Sequence, residues 1–147
     1  MSDTLSRINS DLKTALKSGE GARVGFLRFV RSHIQNREIE KRGKGGSGEL
    51  TEEEVREVLR KEAKRKKESI ELFRKGSRGE LAEKEEQELR WLMEYLPPVP
   101  TRDDIVRVVK ELKEKGVTDF SAFMKEAMPR LEGADGKEVS VVVKEML

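Results

Sequence analysis

The chain has 147 residues, of which 41 % are charged and 5 % aromatic, and its 31 basic and 29 acidic side chains leave a formal net charge of +2. That balance is too small to imply a nucleic-acid partner by net charge alone. With no cysteine and one histidine, His33, the composition excludes disulfides, thiolate zinc sites, cysteine nucleophiles and multi-histidine metal centres.

High charge with few aromatics is also the composition of disordered chains. Here, however, the apolar residues recur at helical spacing, so disorder is expected only in loops. Residues 3–18 place Leu5, Ile8, Leu12, Ala15 and Leu16 on one face and stop at Gly19, a residue type suited to a helix C-terminus. A second helix is expected over 22–42. Its Val24, Phe26, Leu27, Phe29, Val30, His33 and Ile34 cover more than half the circumference, which marks a central helix covered on several sides. His33 reads as a satisfied core histidine. The polar end, residues 36–42, is expected to project outward.

Four glycines in residues 43–48 specify a flexible loop. A phosphate cradle would need a buried strand before it and an ordered Gly-Lys-Ser/Thr ending. These glycines follow a helix, so no nucleotide site is expected. Thr51 with Glu54 forms a capping box opening a helix that runs to Gly76. Arg56, Arg60, Lys64, Lys67 and Arg74 share one arc of it, opposite Val55, Leu59, Ala63, Ile70 and Phe73, with Glu62 and Lys66 intruding on the apolar side. A fourth helix over 79–96 presents Leu81, Ala82, Leu89, Leu92, Met93 and Leu96, with Glu85 in mid-stripe. The short turn at Gly76-Ser77-Arg78-Gly79 predicts an antiparallel hairpin in which Lys66 faces Glu85. Such a pair sets register more than stability, because its attraction roughly cancels its own desolvation.

Pro97, Pro98 and Pro100 stop any helix and divide the chain at 1–96 and 97–147. The second segment carries nine basic and ten acidic residues, net −1, leaving +3 on the first. Three short helices are expected in it: from Thr101 to Gly116, from Thr118 or Asp119 to Pro129, and from Asp135 onward, with Val139, Val142, Val143 and Met146 inside. The fold class is thus all-α: a long N-terminal helical hairpin or bundle followed by a compact three-helix domain. No segment approaches the roughly 20 apolar residues that span a bilayer, so the expectation is a soluble, cytoplasmic protein without a membrane partner.

Four stretches together resemble the GatB/YqeY family. The first is Leu27-Arg28 with Ser32-His33-Ile34-Gln35-Asn36-Arg37-Glu38-Ile39-Glu40-Lys41-Arg42-Gly43. The second is Leu50-Thr51-Glu52-Glu53-Glu54-Val55, continued by Leu59-Arg60-Lys61-Glu62 and Lys66-Lys67-Glu68-Ser69-Ile70. Leu81-Ala82-Glu83-Lys84-Glu85 with Glu94-Tyr95-Leu96-Pro97 is the third, and Met128-Pro129-Arg130-Leu131 with Ala134-Asp135-Gly136-Lys137 and Val142-Val143-Lys144 the fourth. The chain departs from the family pattern at Gln35, where lysine is frequent, and in its extra Val99-Pro100. The resemblance implies an all-helical fold and kinship with the tail of the GatB subunit of glutamine-dependent aspartyl/glutamyl-tRNA amidotransferase. That tail contacts tRNA, while the ATP and glutamine chemistry lies in other domains. A related module is also fused to some glutaminyl-tRNA synthetases. A carbon–nitrogen ligase label with glutamine as donor travels with the family.

The residues here do not supply that chemistry. A serine–lysine amidase needs its serine on a glycine-rich strand-turn, which is absent. Glu62 and Glu85 are the acids on apolar stripes that a shared metal would use, but helical carboxylate sites bring Glu-x-x-His motifs, and there is none. No catalytic residue, metal or cofactor is therefore assigned.

The candidate nucleic-acid contacts are Arg56, Arg60, Lys64, Lys67 and Arg74, then Arg37, Lys41 and Arg42 with Lys44 beside the glycine loop, then Lys125, Arg130 and Lys137. The last three correspond to positions whose kin face tRNA. Trp91 and Tyr95, four apart, either close a core or stack on a base. The expected function is a non-catalytic, tRNA-associated helical adaptor. The alternative is a protein-interaction module docking an aminoacyl-tRNA synthetase or amidotransferase subunit.

Overall fold

The computed structural model describes residues 2–147. It is all helical: seven α-helices and one 3-10 turn, with no strand among the described residues. Its contacts divide it into two compact units, Met1–Leu96 and Pro97–Leu147.

The first unit contains α1 (Asp3–Ser18), α2 (Gly21–Gly43), α3 (Glu52–Lys75) and α4 (Gly79–Met93). Local chemistry sets most of the ends. Ser2 Oγ accepts the Leu5 N–H at 3.2 Å to start α1, and Gly19 ends it in the left-handed conformation, φ 71°. Thr51 and Glu54 cap α3 reciprocally. Helix α4 stops at Met93, three residues before the expected end, because the prolines deny Leu96 a helical continuation.

Helix α1 packs on α2 and α3, α2 on α3, and α3 on α4. Ile8, Leu12, Phe26, Leu27, Val30, Ile34, Val55, Leu59, Leu92 and Tyr95 form the shared core. Each large apolar side chain so buried contributes about 1.5–3 kcal/mol. Helix α2 is central on one side only, since Phe29 is 44 % exposed. Beyond Lys66, α3 has no fully buried residue, and Leu72 and Leu81 near the hairpin turn stand exposed.

The hairpin turn holds one unexpected residue. Gly76 has an ordinary φ of −86°, and the left-handed position falls on Ser77, φ 57°. The Ser77 N–H donates to Arg74 O at 3.2 Å and the Arg78 N–H to Phe73 O at 2.7 Å, so hydrogen bonds closing the helix end hold Ser77 there. A left-handed non-glycine residue costs about 1–2 kcal/mol. Ser77→Gly is expected to raise stability by about 1 kcal/mol, part of the gain being lost to a more flexible unfolded chain. An unchanged or lower urea midpoint would count against this account of the turn.

The second unit contains α5 (Arg102–Glu114), α6 (Phe120–Ala127), a 3-10 turn (Met128–Arg130) and α7 (Gly136–Met146). Thr101 and Asp104 form a capping box on α5. Asp119 accepts the Ala122 N–H, and Asp135 the Lys137 N–H. Val139, Val142 and Val143 are helical despite their β-branched side chains, because they complete a core with Ile105, Val109, Leu112, Phe123, Ala127 and Leu131. No helix among the described residues is long and apolar enough to cross a membrane.

Candidate nucleic-acid interface and the charged layer of the first unit

Two of the cations at the end of α2, Arg37 and Lys41, turn inward rather than projecting outward. Lys41 Nζ lies 2.7 Å from Glu54 Oε1 and donates to Glu49 O at 2.7 Å, while Arg37 Nη2 lies 3.5 Å from Glu54 Oε2. Arg42 is exposed, and its guanidinium lies against Gly48, where a Cβ would come within 2.8 Å of Nε. Gly48, at φ 85°, is also buried. Arg37 and Lys41 thus tie α2 to the start of α3 across the glycine run, instead of standing free for phosphate.

Glu54 is the centre of that tie. The Lys41 hydrogen bond first, then the Thr51 N–H and hydroxyl, hold its carboxyl down at about 2. At Glu52, burial works in the opposite direction. Hydrogen bonds from Ser2 Oγ, Thr4 Oγ1 and the Thr4 N–H together outweigh it and keep the carboxyl below the ordinary glutamate range. A carboxylate with a lowered folded value stabilises above its unfolded value and loses that contribution as pH falls toward the folded one. The stability difference between the parent chain and Glu54→Gln should therefore be full above pH ~4.5 and vanish on acidification toward pH ~2. A difference independent of pH over that window would remove Glu54 from this role.

Along α3 the five stripe residues share a face but differ in state. Arg56 lies 3.9 Å from Glu52, Arg60 2.9 Å from Glu53, and Arg74 clasps Glu86 of α4. Lys64 and Lys67 are exposed, with no carboxylate partner among the described residues, and so is Lys61. In residues 60–67 six of eight side chains are basic, and the one acid, Glu62, is buried. The exposed surface of these two turns is therefore wholly cationic. In the second unit, Arg130 pairs with Glu111, whereas Lys125 and Lys137 are exposed.

Behind this face lies a charged layer. Lys66, its side chain only 6 % exposed, meets Glu85 at 3.2 Å and Glu88 at 3.6 Å, and sits 5.2 Å from the Phe29 ring centroid and 5.9 Å from that of Phe26. The expected Lys66–Glu85 pair is present. Glu88 adds to it; as i+3 of Glu85 it shares that helix face, the signal the sequence offered. Glu62, also buried, accepts from Arg65 Nη1 at 2.7 Å and meets His33 Nδ1 at 3.2 Å. His33 is half-buried with its ring edge against Phe29, 4.5 Å between centroids, rather than a core residue. Glu62, one of the two residues intruding on the apolar side of α3, is the polar partner of His33. With Arg65 on the same oxygen, the contact is an interhelical tie.

Trp91 and Tyr95 close the core and form no stacking platform. The Trp91 ring lies 5.6 Å from that of Phe26, centroid to centroid, with the Arg23 guanidinium over it at 5.3 Å, and the buried Tyr95 donates its hydroxyl to Asp11. Burial first, and the Asp11 carboxylate second, push the Tyr95 phenol well above its ordinary value. Among the described residues no cluster of three or more His, Asp or Glu side chains is arranged to hold a metal ion.

The family model described as "Yqey-like protein" matches residues 5–147. The chain is also similar to "Altered inheritance of mitochondria protein 41, mitochondrial" of Lachancea thermotolerans, 29 % identical over 133 residues, covering 90 % of this chain and 66 % of that protein. The chain thus spans just under two thirds of the length of this relative. A match running from the first helix to the last residue places the chain in the YqeY-like family.

Proposed function

We propose that this protein is a non-catalytic, tRNA-associated helical adaptor that contacts RNA backbone through α3. The observation that carries the reading is the wholly cationic surface of residues 60–67, whose only acid is turned into the interior. Lysines without a carboxylate partner are available to displace counterions from phosphates, whereas Arg60 and Arg74 already hold glutamates. The kinship between this family and the tRNA-contacting tail of the amidotransferase supports the same partner class. No ligase step is part of the proposal. A tRNA partner fits the cytoplasm, and equally the mitochondrion in which the name of its relative puts that protein.

The test is binding of purified chain to bulk tRNA at several salt concentrations. A logarithmic salt slope of about −2 to −3 is expected for three phosphate contacts, with binding lost in Lys61/Lys64/Lys67→Glu. No binding at low salt would overturn the reading. A second reading, docking on a synthetase or amidotransferase subunit, is favoured by exposed Leu72 and Leu81 near the hairpin turn. An interface of that kind would show little salt dependence and would be lost on changing these leucines.

A further inference from the structure

We infer that the cationic middle of α3 takes double-helical RNA, gripped by its backbone without regard to sequence, in preference to single strands. This deepens the function proposed above and rests on it. Single strands are held by aromatic platforms on which successive bases stack. The first unit offers none beside its lysines. Phe26 and Tyr95 are core, and Trp91 packs on Phe26 under Arg23. Phe29, the one exposed ring there, is engaged by His33 and by the Lys66 ammonium. Phe73 falls on the opposite arc of α3 from the cations.

Adenine edges also go unread, and Arg65, the exposed arginine of residues 60–67 suited to a guanine edge, is held on Glu62. Helix α3 contains no Asn or Gln, the side chains suited to reading an adenine edge. What remains is ammonium groups at fixed spacing on a rigid helix. Lys61, Lys64 and Lys67 step along its axis by about 4.5 Å each. Exposed Glu57 on one side and Glu68 and Glu71 on the other flank this stretch, so a polyanion meets a short cationic patch rather than wrapping the helix. Shallow contact with phosphates and 2′-hydroxyls is how duplex RNA, with its wide minor groove, is recognised.

The experiment is equilibrium binding of the full chain to a blunt RNA duplex of about 16 base pairs, to each of its strands, to a duplex of unrelated sequence, and to bulk tRNA. The duplex is expected to bind about tenfold tighter than either strand. The unrelated duplex should match it within about threefold, since no base is read. Lys61/Lys64/Lys67→Glu, and the milder Lys61/Lys64/Lys67→Ala, should abolish or weaken that binding while Trp91 emission stays that of the folded unit. Strands binding as tightly as the duplex, or tRNA binding without duplex binding, would overturn this inference and leave the adaptor reading standing. Duplex binding undiminished in both folded variants would place the site elsewhere and overturn it. No binding of any RNA at low salt would take down both.

Discussion

Phe123→Ala is expected to unfold the second unit while leaving the first intact. Phe123 is fully buried and sits among Ile105, Val109, Leu112, Ala127, Leu131, Val139, Val142 and Val143, so it joins all three helices of that unit in one core. Removing a buried phenylalanine ring costs about 3–5 kcal/mol, the lost transfer energy plus the cavity left behind. A unit of about 50 residues has only a few kcal/mol to lose. The reporters separate cleanly. The single tryptophan, Trp91, lies in the first unit and packs on its core, whereas far-ultraviolet circular dichroism sees helices in both. The variant should lose part of its helical signal at room temperature, with the denaturation midpoint followed by Trp91 emission unchanged. If both signals shift together, the two segments fold as one cooperative body and the division at the prolines is not thermodynamic.

Lys66→Met should destabilise the first unit by about 2–3 kcal/mol although it preserves most of the side-chain volume. The loss comes from leaving Glu85 and Glu88 facing each other without their cation. Their side chains are 22 % and 14 % exposed, so water offsets only part of the penalty and the cost falls toward the low end for a broken buried pair. The compensating variant Lys66→Met/Glu85→Leu/Glu88→Leu should return to within about 1 kcal/mol of the parent, because an apolar layer avoids the desolvation that the ions undergo. The measurement is the urea midpoint read by Trp91 emission. A neutral Lys66→Met would mean that the ammonium is held by nothing the carboxylates need. Failure of the triple variant to recover would mean that the layer stabilises outright as well as setting register.

The helix boundaries were legible because their causes are local. Thr51, Thr101, Asp119 and Asp135 each satisfy an N–H two or three residues along their own helix, and Gly19 takes the left-handed position that ends α1. The Lys66–Glu85 pair was legible for a related reason: a short turn fixes the register of two antiparallel helices, so equal distances from it bring residues together. The Ser77 conformation was not, since a glycine beside it carried the stronger local signal and the hydrogen bonds closing α3 decided which residue took the positive φ.

The candidate site divides along the same line. Spacing alone put Arg56, Arg60, Lys64, Lys67 and Arg74 on one arc of α3, because a helix has a fixed rotation per residue. Spacing is blind to carboxylates on other elements. Glu54 drew in Arg37 and Lys41 across the glycine run, Glu86 engaged Arg74 from α4, and Glu111 engaged Arg130 from α5. Likewise the burial of Glu62, which leaves the surface of residues 60–67 without an acid, follows from α2 bringing His33 against it. Element identity and most helix starts were therefore written in the order of residues, through periods and caps that act within a turn or two of helix. Which cations are spent inside the protein and which remain for a partner was decided by the packing of one helix on another, because an ion pair forms between whichever charges the fold brings within a few ångströms.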